Sequence, residues 1–146
     1  MVTISVLTKA SKEAVRDLNE LMRQLRTNVP IMTSPISLKE LTAMLKDKST
    51  ILVVAKDGER IVGVALLAVI LKIGKSIGHI EDVVVHESYR GRGLGEKIVQ
   101  RTIAIARKRK LLSLGLTSRP ARVAANKLYQ KLGFTIKETN VYRLKL

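Results

Sequence analysis

Three glycines at alternate positions, interleaved with two arginines, form the stretch of this sequence best suited to bind an anion. They follow a β-branched strand and lead directly into an amphipathic helix. The first amides of such a helix lack intrahelical partners and lie at the positive end of its dipole. Glycine lets the backbone approach an anion, and arginine adds permanent positive charge. A phosphate-binding turn is therefore predicted, formed by Arg90, Gly91, Arg92, Gly93, Leu94 and Gly95.

The spacing of the glycines separates this turn from two other phosphate-binding patterns. A Walker loop requires Gly-Lys followed by Ser or Thr, and Lys97 does not stand in that position. A dinucleotide-binding loop requires Gly-x-Gly-x-x-Gly and an acidic residue about 20 positions later. The spacing here is Gly-x-Gly-x-Gly, and residues 111–118 contain no acid. Neither nucleotide-binding class is favoured.

The length and composition predict a single domain over residues 1–146. The chain is 46% hydrophobic and carries no internal repeat or low-complexity run. It contains no cysteine, which excludes disulfides, zinc thiolate sites and thiol nucleophiles, and we predict no metal site. The first residues lack the apolar core of a signal peptide, and the longest apolar run, 61–71, is too short to span a membrane. We therefore expect a soluble, cytoplasmic protein without membrane contacts.

The positive charge of the chain is concentrated in its second half. Residues 1–85 hold 12 Lys and Arg against 9 Asp and Glu, whereas residues 86–146 hold 15 against 3, which accounts for the net charge of +15. Such a field attracts a polyanionic cofactor, and equally nucleic acid or an acidic protein. One Phe and three Tyr leave few stacking platforms, so nucleic-acid binding is not the favoured interpretation.

Hydrophobic periodicity and turn residues predict an α/β domain with a mixed sheet. The segment 61–67 is apolar on both faces, which indicates a sheet covered on both sides. Helices are predicted from Ser11 to about residue 28, from Ser37 over the next turns, from 94 to 109 and from 121 to 132. Strands are predicted at 4–7, 50–56, 61–70, 76–85 and 112–117, with a closing hairpin at 134–136 and 141–144.

Three blocks of the sequence resemble the GNAT superfamily of N-acetyltransferases. They are Gly78 to Val85, the turn Arg90 to Gly95, which is similar to the family's acyl-CoA motif Gln/Arg-x-x-Gly-x-Gly/Ala, and Ala124 to Phe134. The resemblance covers roughly residues 50–136. It implies the GNAT fold, a mixed and mostly antiparallel sheet flanked by helices on both faces. Ile80 to Val85 is also similar to the corresponding block of glucosamine-phosphate N-acetyltransferases.

This resemblance implies acetyl-CoA as co-substrate and a primary amine as acceptor. Acetyl transfer requires that the amine lose its proton, that the thioester oxygen be stabilised as an oxyanion, and that the departing thiolate be protonated. Because the chain has no cysteine, transfer should be direct, without a covalent acyl-cysteine.

Glu81 and Tyr129 are the catalytic candidates that follow from the resemblance. Glu81 would act as the base, directly or through water, or bind the ammonium. His79 shares its strand face, whereas Asp82 should point to the opposite face unless a bulge intervenes. Tyr129, with a phenol pKa near 10, would protonate the thiolate. Asn126 lies one turn earlier on the same helix face and would hydrogen-bond the cofactor.

The main chain of the strand before the glycine turn is predicted to hold the rest of the cofactor. Val83 and Val85 would bind the pantetheine arm as an added strand is bound, and an amide of Val84 or Val85 would meet the oxyanion. Lys131 and Arg122 are weaker candidates for phosphate contacts.

The acceptor is predicted to be a small molecule, such as an amino sugar, a polyamine or an amino-acid derivative. A protein, peptide or aminoacyl-tRNA acceptor and a non-catalytic acetyl-CoA-binding module remain as alternatives. Members of the superfamily are often homodimers, but no feature of this sequence fixes the oligomeric state.

Overall fold

The computed structural model describes residues 1–26 and 34–146, which form one sheet with helices on both faces. The five strands lie in the order β1-β2-β3-β4-β5; the first four are antiparallel, and β5 runs parallel to β4. The strands are β1 (Val2–Val6), β2 (Thr50–Asp57), β3 (Arg60–Lys72), β4 (Lys75–Val85) and β5 (Leu114–Gly115), and the helices are α1 (Lys12–Leu25), α2 (Leu38–Lys46), α3 (Leu94–Lys108) and α4 (Val123–Lys131). The predicted mixed, mostly antiparallel sheet is confirmed.

The first two helices begin at the capping residues that the sequence indicates. The Ser11 side chain accepts a hydrogen bond from the Ala14 amide at 3.0 Å. Before α2, Ser37 and Glu40 form the predicted capping box, with the Ser37 amide donating to the Glu40 carboxylate at 2.7 Å. These caps satisfy first-turn amides that would otherwise lack partners and so fix where α1 and α2 start.

Two apolar cores lie on opposite faces of the sheet. Along β2, Ile51, Val53 and Ala55 pack toward α3 and α4, whereas Leu52 and Val54 pack toward α1 and α2. This alternation follows from the two-residue period of a strand, and it explains why β2 and β3 carry apolar residues on both faces. The sheet is thus covered on both sides, as predicted.

The predicted C-terminal hairpin is wrong. Residues 134–146 contain no strand, and Ile136, Val141 and Leu144 are 88%, 76% and 82% exposed. Their alternating pattern suits a strand, but a strand forms only against a partner edge, and the neighbouring β5 is two residues long. The predicted end of the first helix near residue 28 lies outside the described residues.

Local turn geometry accounts for the other boundaries. The hairpins between β2 and β3 and between β3 and β4 turn at Gly58 and Gly74, both with positive φ. After α4, Gly133 has φ +95°, and the Phe134 amide returns to the Tyr129 carbonyl at 3.0 Å, which ends the helix. Among the described residues, no helix is both long and apolar enough to cross a membrane.

Candidate functional site

A cleft opens where β4 and β5 separate. The two strands pair only at Gly78 with Leu114 and at His79 with Gly115. Beyond these pairs they diverge around a cavity of about 150 Å³. The cavity is lined by Leu25, Ile80, Glu81, Asp82, Val83, Leu116, Thr117, Arg122 and Tyr129. Both predicted catalytic residues, Glu81 and Tyr129, therefore lie at one cleft.

A β-bulge in β4 directs two consecutive carboxylates into this cleft. Glu81 pairs with Leu66 of β3 and Val84 pairs with Val64, so Asp82 and Val83 oppose a single residue. Asp82 has φ +53°, a left-handed conformation that aspartate tolerates better than most residues. Strict alternation would send Asp82 to the opposite face from Glu81. The bulge removes that alternation, and both residues line the cleft.

The open edge of β4 presents main-chain groups from the residues that the sequence indicated. The His86 amide donates to the Val62 carbonyl of β3 at 2.9 Å, and Val84 pairs with Val64 on the same edge. Because main-chain polar groups alternate between the two edges of a strand, those of Val83 and Val85 point toward the cleft side. Of the two predicted oxyanion donors, Val85 thus lies on the open edge, and Val84 lies on the β3 edge.

The Glu81 side chain is held by a neighbour two residues earlier in the strand. His79 Nδ1 lies 2.9 Å from Glu81 Oε1, and the Glu81 side chain is 52% exposed. The sequence placed both residues on one face of β4 without identifying a partner for the imidazole. The structure shows that its partner is Glu81, so His79 orients the carboxylate at the cleft.

Tyr129 is buried in the wall of the cleft. Its ring is 6% exposed and packs edge-on against Phe134, with 6.0 Å between ring centroids. Burial raises the pKa of the Tyr129 phenol above its ordinary value, and the positive charge of Arg122 opposes that change. The hydroxyl makes no hydrogen bond within residues 1–26 and 34–146. A protonated phenol therefore faces the cleft at neutral pH.

Asn126 stands one turn before Tyr129 on α4 and holds the chain that leads into the helix. Its Nδ2 donates to the Arg119 carbonyl at 2.9 Å. Asn126 is not among the residues that line the cleft, whereas Arg122 and Thr117 are. The sequence indicated Arg122 only as a weaker candidate for a phosphate contact, and it did not indicate Thr117. Both positions depend on where β5 leaves β4.

The glycine turn, residues 90–95, leads into the uncapped start of α3. Gly91 and Gly93 both have φ +73°, a conformation that favours glycine. Gly93 is the N-cap of α3, and no side chain caps the helix. The first helical hydrogen bond runs from the Lys97 amide to the Gly93 carbonyl at 3.2 Å, so the amides of residues 94–96 have no partner within the helix. Leu94 is buried against the sheet and anchors this turn.

Gly95 has a different role from the other two glycines. A β-carbon there would lie 3.7 Å from Leu128 and 3.8 Å from Val85, at ordinary van der Waals distances. Its backbone is helical, so the turn itself does not require glycine at this position. A small residue here keeps the α3 backbone close to α4 and β4.

The charged side chains around the turn are partly fixed by neighbours. Arg90 Nε donates to the Val85 carbonyl at 3.0 Å, and the Arg92 guanidinium lies 5.2 Å from the centroid of the Tyr89 ring. Both remain exposed and can present charge to an anion. Lys131 Nζ instead pairs with Glu96 at 2.8 Å, which offsets the one acidic side chain in the first turn of α3.

The arrangement suits an elongated anionic ligand with a reactive end. The unpaired amides and arginines provide a site for phosphates, and the open edge of β4 can bind an extended chain. Glu81 can accept a proton and Tyr129 can donate one. Among the described residues, no group of three or more His, Cys, Asp or Glu side chains is arranged to hold a metal ion.

Comparison with known proteins matches this arrangement to acetyltransferases. The profile of the Acetyltransferase (GNAT) family matches residues 15–134. A glucosamine 6-phosphate N-acetyltransferase of Trypanosoma brucei brucei is 40% identical over 82 residues, which are 54% of this chain and 54% of that protein. A glucosamine 6-phosphate N-acetyltransferase 1 of Oryza sativa subsp. japonica is 38% identical over 65 residues, 44% of this chain and 38% of the relative. The chain spans about half the length, or less, of these curated relatives.

Solved structures show the same fold over the whole chain. An acetyltransferase of Trypanosoma brucei is 32% identical, covers 100% of both chains and has a TM-score of 0.78. An aminoglycoside acetyltransferase from an uncultured soil metagenomic sample, 17% identical, covers 99% of this chain and 95% of its own, with a TM-score of 0.84. Together with the match over 120 residues and the geometry of the cleft, these findings show that the chain belongs to the acetyltransferase (GNAT) family of N-acetyltransferases.

Proposed function

We propose that this chain binds acetyl-CoA along the cleft between β4 and β5 and transfers the acetyl group directly to a primary amine of a small molecule. One observation carries the proposal. The cleft that holds Glu81 and Tyr129 lies beside the open edge of β4, and the first turn of α3, which no side chain caps, packs against the end of that strand, where a β-carbon on Gly95 would lie 3.8 Å from Val85. A ligand with a pyrophosphate at one end and a thioester at the other matches these two features.

The residues present fit such a co-substrate. The amides of residues 94–96 and the side chains of Arg90 and Arg92 supply donors and positive charge for the pyrophosphate. The main-chain groups of Val83 and the amide of Val85 are available for the pantetheine arm, whereas the Val85 carbonyl accepts from Arg90 Nε. When bound, acetyl-CoA supplies an acetyl carbon that is open to attack by an amine. The side-chain oxygen of Asn126 accepts no hydrogen bond from the described residues and can accept one from a ligand that reaches α4.

Glu81 is assigned to the acceptor. Its carboxylate, oriented by His79, can hold the ammonium and accept the proton that must leave before the nitrogen can attack. As the carbon–nitrogen bond forms, the carbonyl oxygen gains negative charge, and it loses that charge when the carbon–sulfur bond breaks. The Val85 amide on the open edge of β4 can stabilise the charged oxygen.

Tyr129 is assigned to the leaving group. Because burial raises the pKa of its phenol, the hydroxyl keeps its proton until the thiolate forms. The ordinary pKa of a cysteine-like thiol, near 8.5, lies below that of the phenol, so transfer from phenol to thiolate is unfavourable in water; a poorly solvated site raises the pKa of the thiol and reduces that cost. The ammonium therefore gives its first proton to Glu81 before attack, Tyr129 gives its proton to the thiolate, and the second proton, which leaves the nitrogen as the amide forms, returns the phenol to its protonated form through solvent.

Steady-state kinetics test the proposal. Purified protein would be incubated with acetyl-CoA and a set of primary amines of different chemistry, and release of free CoA would be followed with a thiol reagent. Direct transfer predicts initial-rate lines that intersect when both substrates are varied. Parallel lines would contradict direct transfer, and the absence of CoA release with every amine would contradict the enzymatic proposal.

A further inference from the structure

A second cavity, larger than the catalytic cleft, lies between the sheet and the first two helices. Its volume is about 360 Å³, at the lower end of the range of roughly 300 to 1,000 Å³ found for small-molecule sites. Its apolar walls come from both helices and two strands, chiefly Leu18, Met22, Met44, Leu52, Val64 and Leu66. A cavity of this size accepts a small organic molecule.

The polar groups of this cavity are few and unevenly placed. The side-chain amide of Asn19 is held by the protein, because it binds both main-chain groups of Ile36, at 3.0 and 2.9 Å. Arg23 and Arg26 lie at the end of α1. Asp82 supplies the only carboxylate among the described lining residues. Asp82 attracts a cationic group that enters the cavity, and the two arginines repel it; because Arg26 contacts Asp82, the entering group shares this carboxylate with a guanidinium.

Asp82 connects the two cavities. The bulge in β4, with φ +53° at Asp82, makes this residue part of the lining of both the catalytic cleft and the apolar cavity. Arg26 Nη2 lies 3.9 Å from Asp82 Oδ1, a loose contact that leaves the second carboxylate oxygen for another partner. An amine held at Asp82 would lie at the border of the cleft, beside Glu81.

From this juxtaposition we infer that the acceptor is a primary amine carried on an apolar body, with the body in the 360 Å³ cavity and the nitrogen at Asp82. The inference rests on the proposed function and specifies its acceptor. A sugar phosphate could place its phosphate near Arg23 and Arg26, but its hydroxyl groups would meet apolar walls. Hydroxyl groups buried without partners oppose binding, so an amino-sugar phosphate is disfavoured.

A comparison of two acceptors tests the inference directly. At saturating acetyl-CoA, kcat/KM would be measured for 2-phenylethylamine, which has an apolar body, and for glucosamine 6-phosphate. We expect the first to exceed the second by about tenfold or more, because burying the apolar body of 2-phenylethylamine is favourable and burying the sugar hydroxyl groups without partners is not. Equal or higher kcat/KM with glucosamine 6-phosphate would overturn the inference and leave the proposed function intact.

Variants of the cavity wall supply the matched control. Met44→Lys places a charge in the cavity, whereas Ala43→Lys places the same charge on the exposed side of α2. Met44→Lys should raise the KM for 2-phenylethylamine about tenfold or more without changing the KM for acetyl-CoA, and Ala43→Lys should change neither. An unchanged KM in folded Met44→Lys would contradict the inference. Met22→Gln is the second variant if Met44→Lys does not fold.

Asp82→Asn tests the position of the amine. Asparagine also tolerates positive φ, so the bulge should persist while the charge is removed. We expect weaker binding of 2-phenylethylamine by calorimetry and unchanged binding of acetyl-CoA. This titration does not depend on turnover, so it tests the inference even if no amine releases CoA. In that case, the inference is supported if wild type binds 2-phenylethylamine and both Met44→Lys and Asp82→Asn abolish that binding. It is overturned if wild type does not bind 2-phenylethylamine.

Discussion

The imidazole Nδ1 of His79 lies 2.9 Å from the carboxylate Oε1 of Glu81, two residues further along β4. The pair stands where β4 loses β5 as a neighbour and the cleft begins. The Glu81 side chain is 52% exposed, and His79 is its one ion-pair partner among the described residues. A half-exposed carboxylate that must meet an amine at a defined distance benefits from such a partner, because a freely rotating side chain would occupy the productive position only part of the time.

Substitutions at these two positions should have graded effects. Glu81→Gln should lower kcat about a hundredfold or more, since it removes the proton acceptor. His79→Ala should lower kcat about tenfold through loss of orientation. His79→Asn keeps an N–H donor at a similar position and should restore most of the rate. Steady-state kinetics at saturating acetyl-CoA would measure these values. Full activity of Glu81→Gln would exclude it as the base, and equal rates for His79→Ala and His79→Asn would exclude positioning by the hydrogen bond.

Tyr129→Phe should lower kcat about a hundredfold with little change in acetyl-CoA affinity, because it removes the proton donor and keeps the buried ring. The raised pKa of the phenol also predicts a pH dependence. A group whose pKa is raised keeps its proton to higher pH, so the wild-type rate should not fall through loss of this proton below about pH 10. If the wild-type rate instead fell with rising pH near neutrality, and this fall disappeared in Tyr129→Phe, the assignment would be contradicted.

Glu20 and His86 predict how the stability of the fold depends on acid. Glu20 Oε1 lies 2.9 Å from His86 Nε2, and this hydrogen bond lowers the pKa of the Glu20 carboxyl. A lowered pKa contributes stability that is present above the ordinary value near 4.3 and lost as the pH falls through the folded-state value. Glu20→Gln should therefore reduce the free energy of unfolding at pH 6, and its difference from wild type should shrink below pH 4.

Denaturant unfolding at a series of pH values would measure this difference. Glu59→Gln is the matched control, since Glu59 lies in the exposed turn between β2 and β3 and makes no hydrogen bond or ion pair in the part of the chain that is described. If the free energies of unfolding of Glu20→Gln and wild type differed by the same amount from pH 6 to pH 3, the hydrogen bond of the Glu20 carboxylate would not be the cause of the difference.

Features governed by neighbouring residues in the sequence were predictable. The starts of α1 and α2 follow from Ser11 and Ser37, whose side chains accept from amides three residues later. The glycine turn and the face shared by His79 and Glu81 likewise depend on short-range geometry. For this reason the geometry of the turn at residues 90–95 and one edge of the cleft could be predicted without the structure, and the phosphate-binding role of the turn stays a prediction.

Features that depend on distant strands were not predictable. The bulge at Asp82 arises from the register between β3 and β4, so strict alternation gave the wrong side for this carboxylate. The cleft wall at Thr117 depends on where β5 leaves β4. The closing hairpin failed for the same reason, since an alternating pattern shows that residues suit a strand but not that a partner edge is available. The apolar cavity, lined by residues of five separate elements, has no local signal.

Gly93 tests the phosphate site because its φ of +73° disfavours any side chain with a β-carbon. Gly74, in the hairpin between β3 and β4, has φ +75°, and at both positions a β-carbon would meet nothing within 4 Å. Gly93→Val and Gly74→Val should therefore impose similar backbone strain, of order 1 to 3 kcal/mol. Only the first of them alters the start of α3.

Titration calorimetry of acetyl-CoA into wild type, Gly93→Val and Gly74→Val measures the central claim most directly. The account predicts binding at one site by wild type and Gly74→Val, and none by folded Gly93→Val. No heat with well-folded wild type, or equal affinity in all three proteins, would contradict the assignment of the cleft and the start of α3 as the acetyl-CoA site.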